Sequence, residues 1–160
     1  MPILPIRLFG DPVLRTRASE IQEMDRSVTN LMESMTETMR AAPGIGLAAP
    51  QVGVLRRVIV WENEEDRGAL ANPVIIDQGG AVEGEEGCLS LPGLAYPVVR
   101  SEWVVVEGID EAGDEVMVEA YDLTARILQH EIDHLSEVLR TEAIARLREM
   151  PTDLEVSKPL

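Results

Sequence analysis

The sequence predicts an α+β fold, with mainly antiparallel sheets packed around a central helix and a second helix nearer the N-terminus. Three observations carry this. Apolar residues recur at helical spacing in two segments, near the start and near the end of the chain. Runs of strand-forming residues lie between them. Strand and helix do not alternate regularly, as a parallel βαβ sheet requires.

The first helix is expected from Asp25 to Ala42. Val28, Leu31, Met32, Met35 and Met39 form its apolar stripe, Asp25 is placed to cap its start, and Pro43-Gly44 stops it. A glycine-rich turn follows, Gly44-Ile45-Gly46-Leu47-Ala48-Ala49-Pro50-Gln51. Strands are expected over 57–61, 71–76, 98–109 and 115–121, with Glu111-Ala112-Gly113-Asp114 as a hairpin turn. The glycine-rich stretch from Gly79 to Gly93 reads as part loop, part strand. The second helix is expected from Thr124, as its cap, to Leu139, with Ile127, Leu128, Ile132, Leu135 and Leu139 as its apolar side.

A chain of 160 residues, 45% hydrophobic, is long enough for one domain with a proper core. No repeat or linker divides it. The formal charge is −15 and Lys158 is the only lysine, so general binding to nucleic acid is disfavoured. No apolar run approaches the length of a membrane span. The opening Met-Pro-Ile-Leu-Pro-Ile-Arg lacks the layout of a signal peptide, and a cytoplasmic protein is expected. One cysteine, Cys88, excludes an internal disulfide.

The only two histidines stand four apart in Gln129-His130-Glu131-Ile132-Asp133-His134. On a helix this HExxH spacing turns both imidazoles to one face, where they can grip one metal ion. Glu131, beside them, is placed to move protons for a water activated there. The competing reading is a pair of core or solvated histidines on an amphipathic helix. A hydrolytic metal site needs a third protein ligand. Downstream, Glu142 and Glu149 are available, which is the layout of a zincin-type metallopeptidase. Upstream, Cys88 lies in a small loop flanked by glycine, and a thiolate is a strong ligand for zinc or ferrous iron.

Three separated motifs together resemble the peptide deformylase family: Gly44-Ile45-Gly46-Leu47-Ala48-Ala49-Pro50-Gln51, Glu86-Gly87-Cys88-Leu89-Ser90, and Gln129-His130-Glu131-Ile132-Asp133-His134-Leu135. The resemblance covers about residues 5–139 of what is read as one catalytic domain spanning 1–160. It implies a metal-dependent hydrolase that removes the N-formyl group from the formyl-methionine of new polypeptides and releases formate. It makes Cys88, His130 and His134 the metal ligands, with ferrous iron the expected ion and zinc, nickel or cobalt able to replace it. It makes Glu131 the proton carrier, and Gln51 with the backbone N–H of Leu89 the donors to an oxyanion. It sets Ile45, Gly46, Glu86, Gly87, Leu91, Arg100 and Ile127 among the substrate-binding positions. Glu86, Arg100 and Asp133 are also expected to orient the ligands or the substrate loop. The cytoplasm of a bacterium, or an organelle, is the expected setting. A zincin-type peptidase and a non-catalytic homologue that binds formylated peptides are the rival readings.

The chain departs from the family pattern at Asp122 and Glu137, where glycine is usual, and at Arg140, where phenylalanine is usual. After Leu139 acidic and basic residues mix, so the basic tail with which some members dock on the ribosome is not recognisable.

Overall fold

The computed structural model describes residues 2–136. The elements are α1 (Arg26–Ala41), β1 (Gly46–Ala48), β2 (Val58–Glu62), β3 (Arg67–Gly79), β4 (Val82–Cys88), β5 (Leu91–Arg100), β6 (Trp103–Ile109), β7 (Glu115–Tyr121) and α2 (Asp122–Leu135). The α+β expectation holds, and every strand pair is antiparallel. Five strands form one sheet in the order β1-β2-β3-β6-β7, and β4-β5 form a separate hairpin.

The alternation of β2 shows why helices lie on both faces of the larger sheet. Ile59 and Trp61 join the core cluster of α2, with Ile127, Leu128 and Leu135. Val58 and Val60 join that of α1, with Val28, Met32, Met35 and Met39. Successive strand side chains point to opposite faces, so one apolar run serves both helices. Asp25 caps α1 as expected, accepting a 3.3 Å hydrogen bond from the Val28 amide.

Three local expectations are corrected. The run 98–109 is two strands in two different sheets, broken at Ser101. There the Gln129 side chain takes the role of a strand partner. Its Oε1 accepts from the Ser101 amide at 2.9 Å and its Nε2 donates to the Ser101 carbonyl at 3.0 Å. The stretch 79–93 is almost entirely strand, turning at Leu89-Ser90. Thr124 does not cap α2, which begins two residues earlier. Its hydroxyl instead accepts from Asn63 Nδ2 at 2.8 Å. The first residue, Asp122, has φ of +51°, the left-handed region that favours glycine and that Asp tolerates better than most. Its carboxylate lies in the first turn, where the helix dipole favours a negative charge. Glu137, Arg140 and the tail after Leu139 lie outside the described residues.

α2 is fixed at its C-terminal end by Arg57 of the segment entering β2. The buried Arg57 guanidinium donates to the Leu135 carbonyl at 2.9 Å and to Ser136 Oγ at 3.1 Å. Carbonyls at a helix end have no partner within the helix, and a cation there also meets the negative end of the dipole.

The hairpin is fastened to α2 through Glu86, which is 0% exposed. Arg100 from β5 grips it with Nε and Nη2, each at 2.8 Å. Arg126 from α2 donates through Nη1 at 2.7 Å, and His130 Nδ1 lies 2.8 Å from Oε1. Arg100 reaches on to Asp133 at 2.6 Å. Burial alone would raise the Glu86 carboxyl. The bonds from Arg100 and His130, with their charges, outweigh it and hold the carboxyl well below its ordinary value of 4.5.

Two measurements check these ties. Arg57→Met removes charged donors from the Leu135 carbonyl, which keeps only its bond from the Ala18 amide, and from Ser136 Oγ, so the unfolding free energy from urea titration should fall by about 1–3 kcal/mol. An unchanged value would remove the capping role. Because the folded pKa of Glu86 is depressed, its contribution is complete above pH 4.5 and is lost as the pH falls below that value. Stability measured against pH should therefore drop on acidification below 4.5, and Glu86→Gln should be less stable at neutral pH and show a shallower acid decline.

Candidate metal centre

The helical period of α2 sets His130 and His134 one turn apart on one face, with their Nε2 atoms 3.2 Å from each other. Cys88, the last residue of β4, meets them from the hairpin, its Sγ 3.5 Å from His134 Nε2. One ligand atom from each of the three residues lies within 4.8 Å of the others. Among the described residues this is the one such cluster of His, Cys, Asp and Glu. Cys88 and His130 are buried, while His134 is half-buried. Glu142 and Glu149, the alternative third ligands, lie outside the described residues.

The electrostatics prepare a thiolate. Burial pushes the Cys88 thiol up, but the adjacent His134 and His130 outweigh it and hold the thiol well below its ordinary range. Burial pulls His130 down, but hydrogen bonding to Cys88 and Glu86, with the negative charges of Glu131 and Cys88, brings it up to about 10. Glu131 is pushed up to about 7, chiefly by burial, against the opposing pull of His130 and His134. Both of its carboxylate oxygens are buried without a hydrogen-bond partner in the protein. A buried carboxylate left unpaired is costly unless something polar faces it. One thiolate and two imidazoles beside that carboxylate suit a divalent ion of the zinc or ferrous type, which would bring water within its reach.

The glycine-rich turn forms one wall. Gly46, in β1, lies directly against the acid. A Cβ added there would stand 2.5 Å from Glu131 Oε2 and 2.8 Å from Ile127 Cγ2, so only glycine leaves the carboxylate its space. Gln51 closes the turn and is buried. Its Oε1 accepts from the Ala48 amide at 2.9 Å, which fixes the amide group. Its Nε2 then faces Cys88 Sγ at 3.5 Å and Ser90 Oγ at 3.2 Å.

The structure gathers most of the expected residues here. Ile127 is buried in the core cluster of α2, with Ile45 packed against it. Leu91 packs beside Cys88 in the hairpin's own cluster, and Gly87 is buried in β4. Leu89 follows Cys88 at the turn, its side chain against the cluster of α1. Glu86 and Arg100 bond to each other and to groups of α2, in a buried ion cluster rather than on a surface open to a bound chain. Two further residues were not anticipated. Ser90 orients Gln51, and Arg126 binds Glu86. Arg126 precedes His130 by one helical turn, a spacing that could have marked it.

The model of the family described as polypeptide deformylase matches residues 3–150. A peptide deformylase of Acidothermus cellulolyticus is 49% identical over 139 residues, 87% of this chain and 77% of that protein. One from Halothermothrix orenii is 46% identical over 151 residues, 93% of this chain and 98% of the other. The crystal structure of the peptide deformylase from Thermotoga maritima superposes with a TM-score of 0.83 at 39% identity, covering 87% of this chain and 95% of that one. Sequence, fold and the cluster of cysteine and two histidines agree, and the chain belongs to the polypeptide deformylase family.

Proposed function

We propose that Cys88, His130 and His134 hold the divalent ion with which this peptide deformylase removes the N-formyl group from the formyl-methionine of newly made polypeptides. The observation that carries this assignment is the cluster of three ligand atoms beside a buried carboxylate without a protein partner. α2 is then the central metal-binding helix, and residues 5–139 are the core of a single catalytic domain. Ferrous iron is the preferred ion, and zinc, nickel or cobalt can take its place, since the same ligands suit all four. When bound, the ion polarises the formyl carbonyl and makes water acidic enough to react near neutral pH.

The protein groups do the rest. Glu131 accepts a proton as water attacks the formyl carbon, and delivers it to the amine nitrogen as the C–N bond breaks. Formate and a free N-terminal amine are the products. The Gln51 amide and the Leu89 backbone N–H donate to the oxygen that gains charge. Gln51 suits the role because Ala48 holds its Oε1, leaving Nε2 directed at the cluster. The peptide lies along Gly44 to Gly46 like an added strand, and Gly87 lets the hairpin backbone approach it. Ile45, Leu91, Ile127 and His130 wall the methionine pocket. A tight space beside the ion admits a formyl hydrogen and excludes the methyl of an acetyl group. The reaction belongs in the cytoplasm of a bacterium or inside an organelle. Among the described residues no helix is long and apolar enough to cross a membrane.

Two experiments test the assignment. Protein loaded anaerobically with ferrous iron should release formate from a short formyl-methionyl peptide, and Glu131→Ala at equal metal content should be slower by roughly 10²–10⁴-fold. A metal-loaded parent that releases no formate would support the non-catalytic reading instead. Cys88→Ala should lose its stoichiometric metal, measured by elemental analysis after gel filtration. Retention of the ion would favour a zincin-type site with a carboxylate ligand.

A further inference from the structure

We infer that Arg126 is a positioning residue of the metal centre. It sets the separation between the hairpin that brings Cys88 and the helix that brings the two histidines. The inference rests on the ligand assignment proposed above and adds a residue that does not touch the ion.

One guanidinium bonds both a buried carboxylate and the backbone of the hairpin. Nη1 donates to Glu86 Oε2 at 2.7 Å and to the Val98 carbonyl of β5 at 3.0 Å. Nη2 donates to the Val82 carbonyl of β4 at 2.8 Å. A group rooted in α2 therefore holds both strands of the hairpin and the carboxylate that meets His130 Nδ1. A carboxylate offers about four acceptor positions. At Glu86 they are filled by Arg100 Nε and Arg126 Nη1 on Oε2, and by Arg100 Nη2 and His130 on Oε1. Arg100 grows from β5 and moves with the hairpin. Both arginines link Glu86 to the element that carries the histidines, Arg100 by reaching on to Asp133 at 2.6 Å and Arg126 directly from α2. Without Arg126 the carboxylate stays charged and paired through Arg100, but Oε2 loses its direct bond from α2 and the two hairpin strands lose theirs, so Glu86 and the His130 ring it meets are held less firmly in direction. A ligating imidazole keeps its direction only while its second nitrogen is held.

A second residue points the same way. Gly84 lies beside the guanidinium, and a Cβ there would stand 3.1 Å from Arg126 Cζ and 3.1 Å from its Nη2. The absent side chain makes the room in which Arg126 crosses the hairpin.

The test is Co²⁺ affinity, from competition with a chelator, together with the Co²⁺ absorption spectrum of the folded protein and a urea midpoint for each variant. Arg126→Met should weaken binding by roughly 10–100-fold and shift the spectrum. Arg126→Lys should recover part of the loss, because an ammonium on a similar stem still reaches Glu86. Gly84→Ala should move affinity in the same direction by less. A merely structural role predicts lower urea midpoints with the parent's affinity and spectrum. That result in Arg126→Met, or in Gly84→Ala if the first variant does not fold, overturns the inference. If the parent itself takes up no Co²⁺, the ligand assignment fails and this inference with it.

Discussion

Everything at the centre depends on a buried charge cluster that joins two elements far apart in the chain. Cys88 and His134 are 46 residues apart, and nothing local in the backbone makes them meet. Glu86 does so, by standing between a guanidinium of the hairpin and a guanidinium and an imidazole of the helix. A carboxylate with 0% exposure is tolerable only because its acceptor positions are filled by charged donors. The same completeness gives it direction. A hydrophobic patch would hold hairpin and helix together but would let them slide. A carboxylate held from both sides fixes distance and angle, which ligand atoms need and an apolar contact does not supply.

The larger sheet serves this arrangement as a platform. Because β2 buries both of its faces, α2 rests on a surface that is itself backed by α1. The methionines of α1 fill that backing, and their flexible side chains suit the uneven underside of a twisted sheet. Gly46 lies where the edge of this platform meets the helix, and its missing side chain leaves Glu131 its space. The acid is thus walled by groups that offer it no hydrogen bond, and its burial there raises its pKa to about 7.

Much of this was legible in the sequence, and the reasons for the exceptions are physical. The histidine spacing, the Asp25 cap and the stripe from Val28 to Met39 are local signals, and local signals survive folding. The break at Ser101 was not legible because the residues on either side alternate well. What ends the strand is Gln129, 28 positions away. The start of α2 was misplaced for a related reason. Thr124 has good capping chemistry, but the chain enters the helix through a left-handed Asp122, and the threonine hydroxyl serves Asn63. Glu86 and Arg100 were found by resemblance, but their partner Arg126 was passed over. An arginine among apolar helical neighbours reads as an exposed cation until a buried acid is known to face it.

The Arg57 cap has a bearing on how such a chain can change over generations. It closes the C-terminal end of α2 from the body of the protein, using a side chain nearly 80 positions upstream of its targets. The last turn, which carries His134, is closed by Arg57 and by the Ala18 amide, both from the body of the protein. A change at Arg57, or in the segment around Ala18, is therefore felt at the turn that carries His134, far along the chain from where it is made.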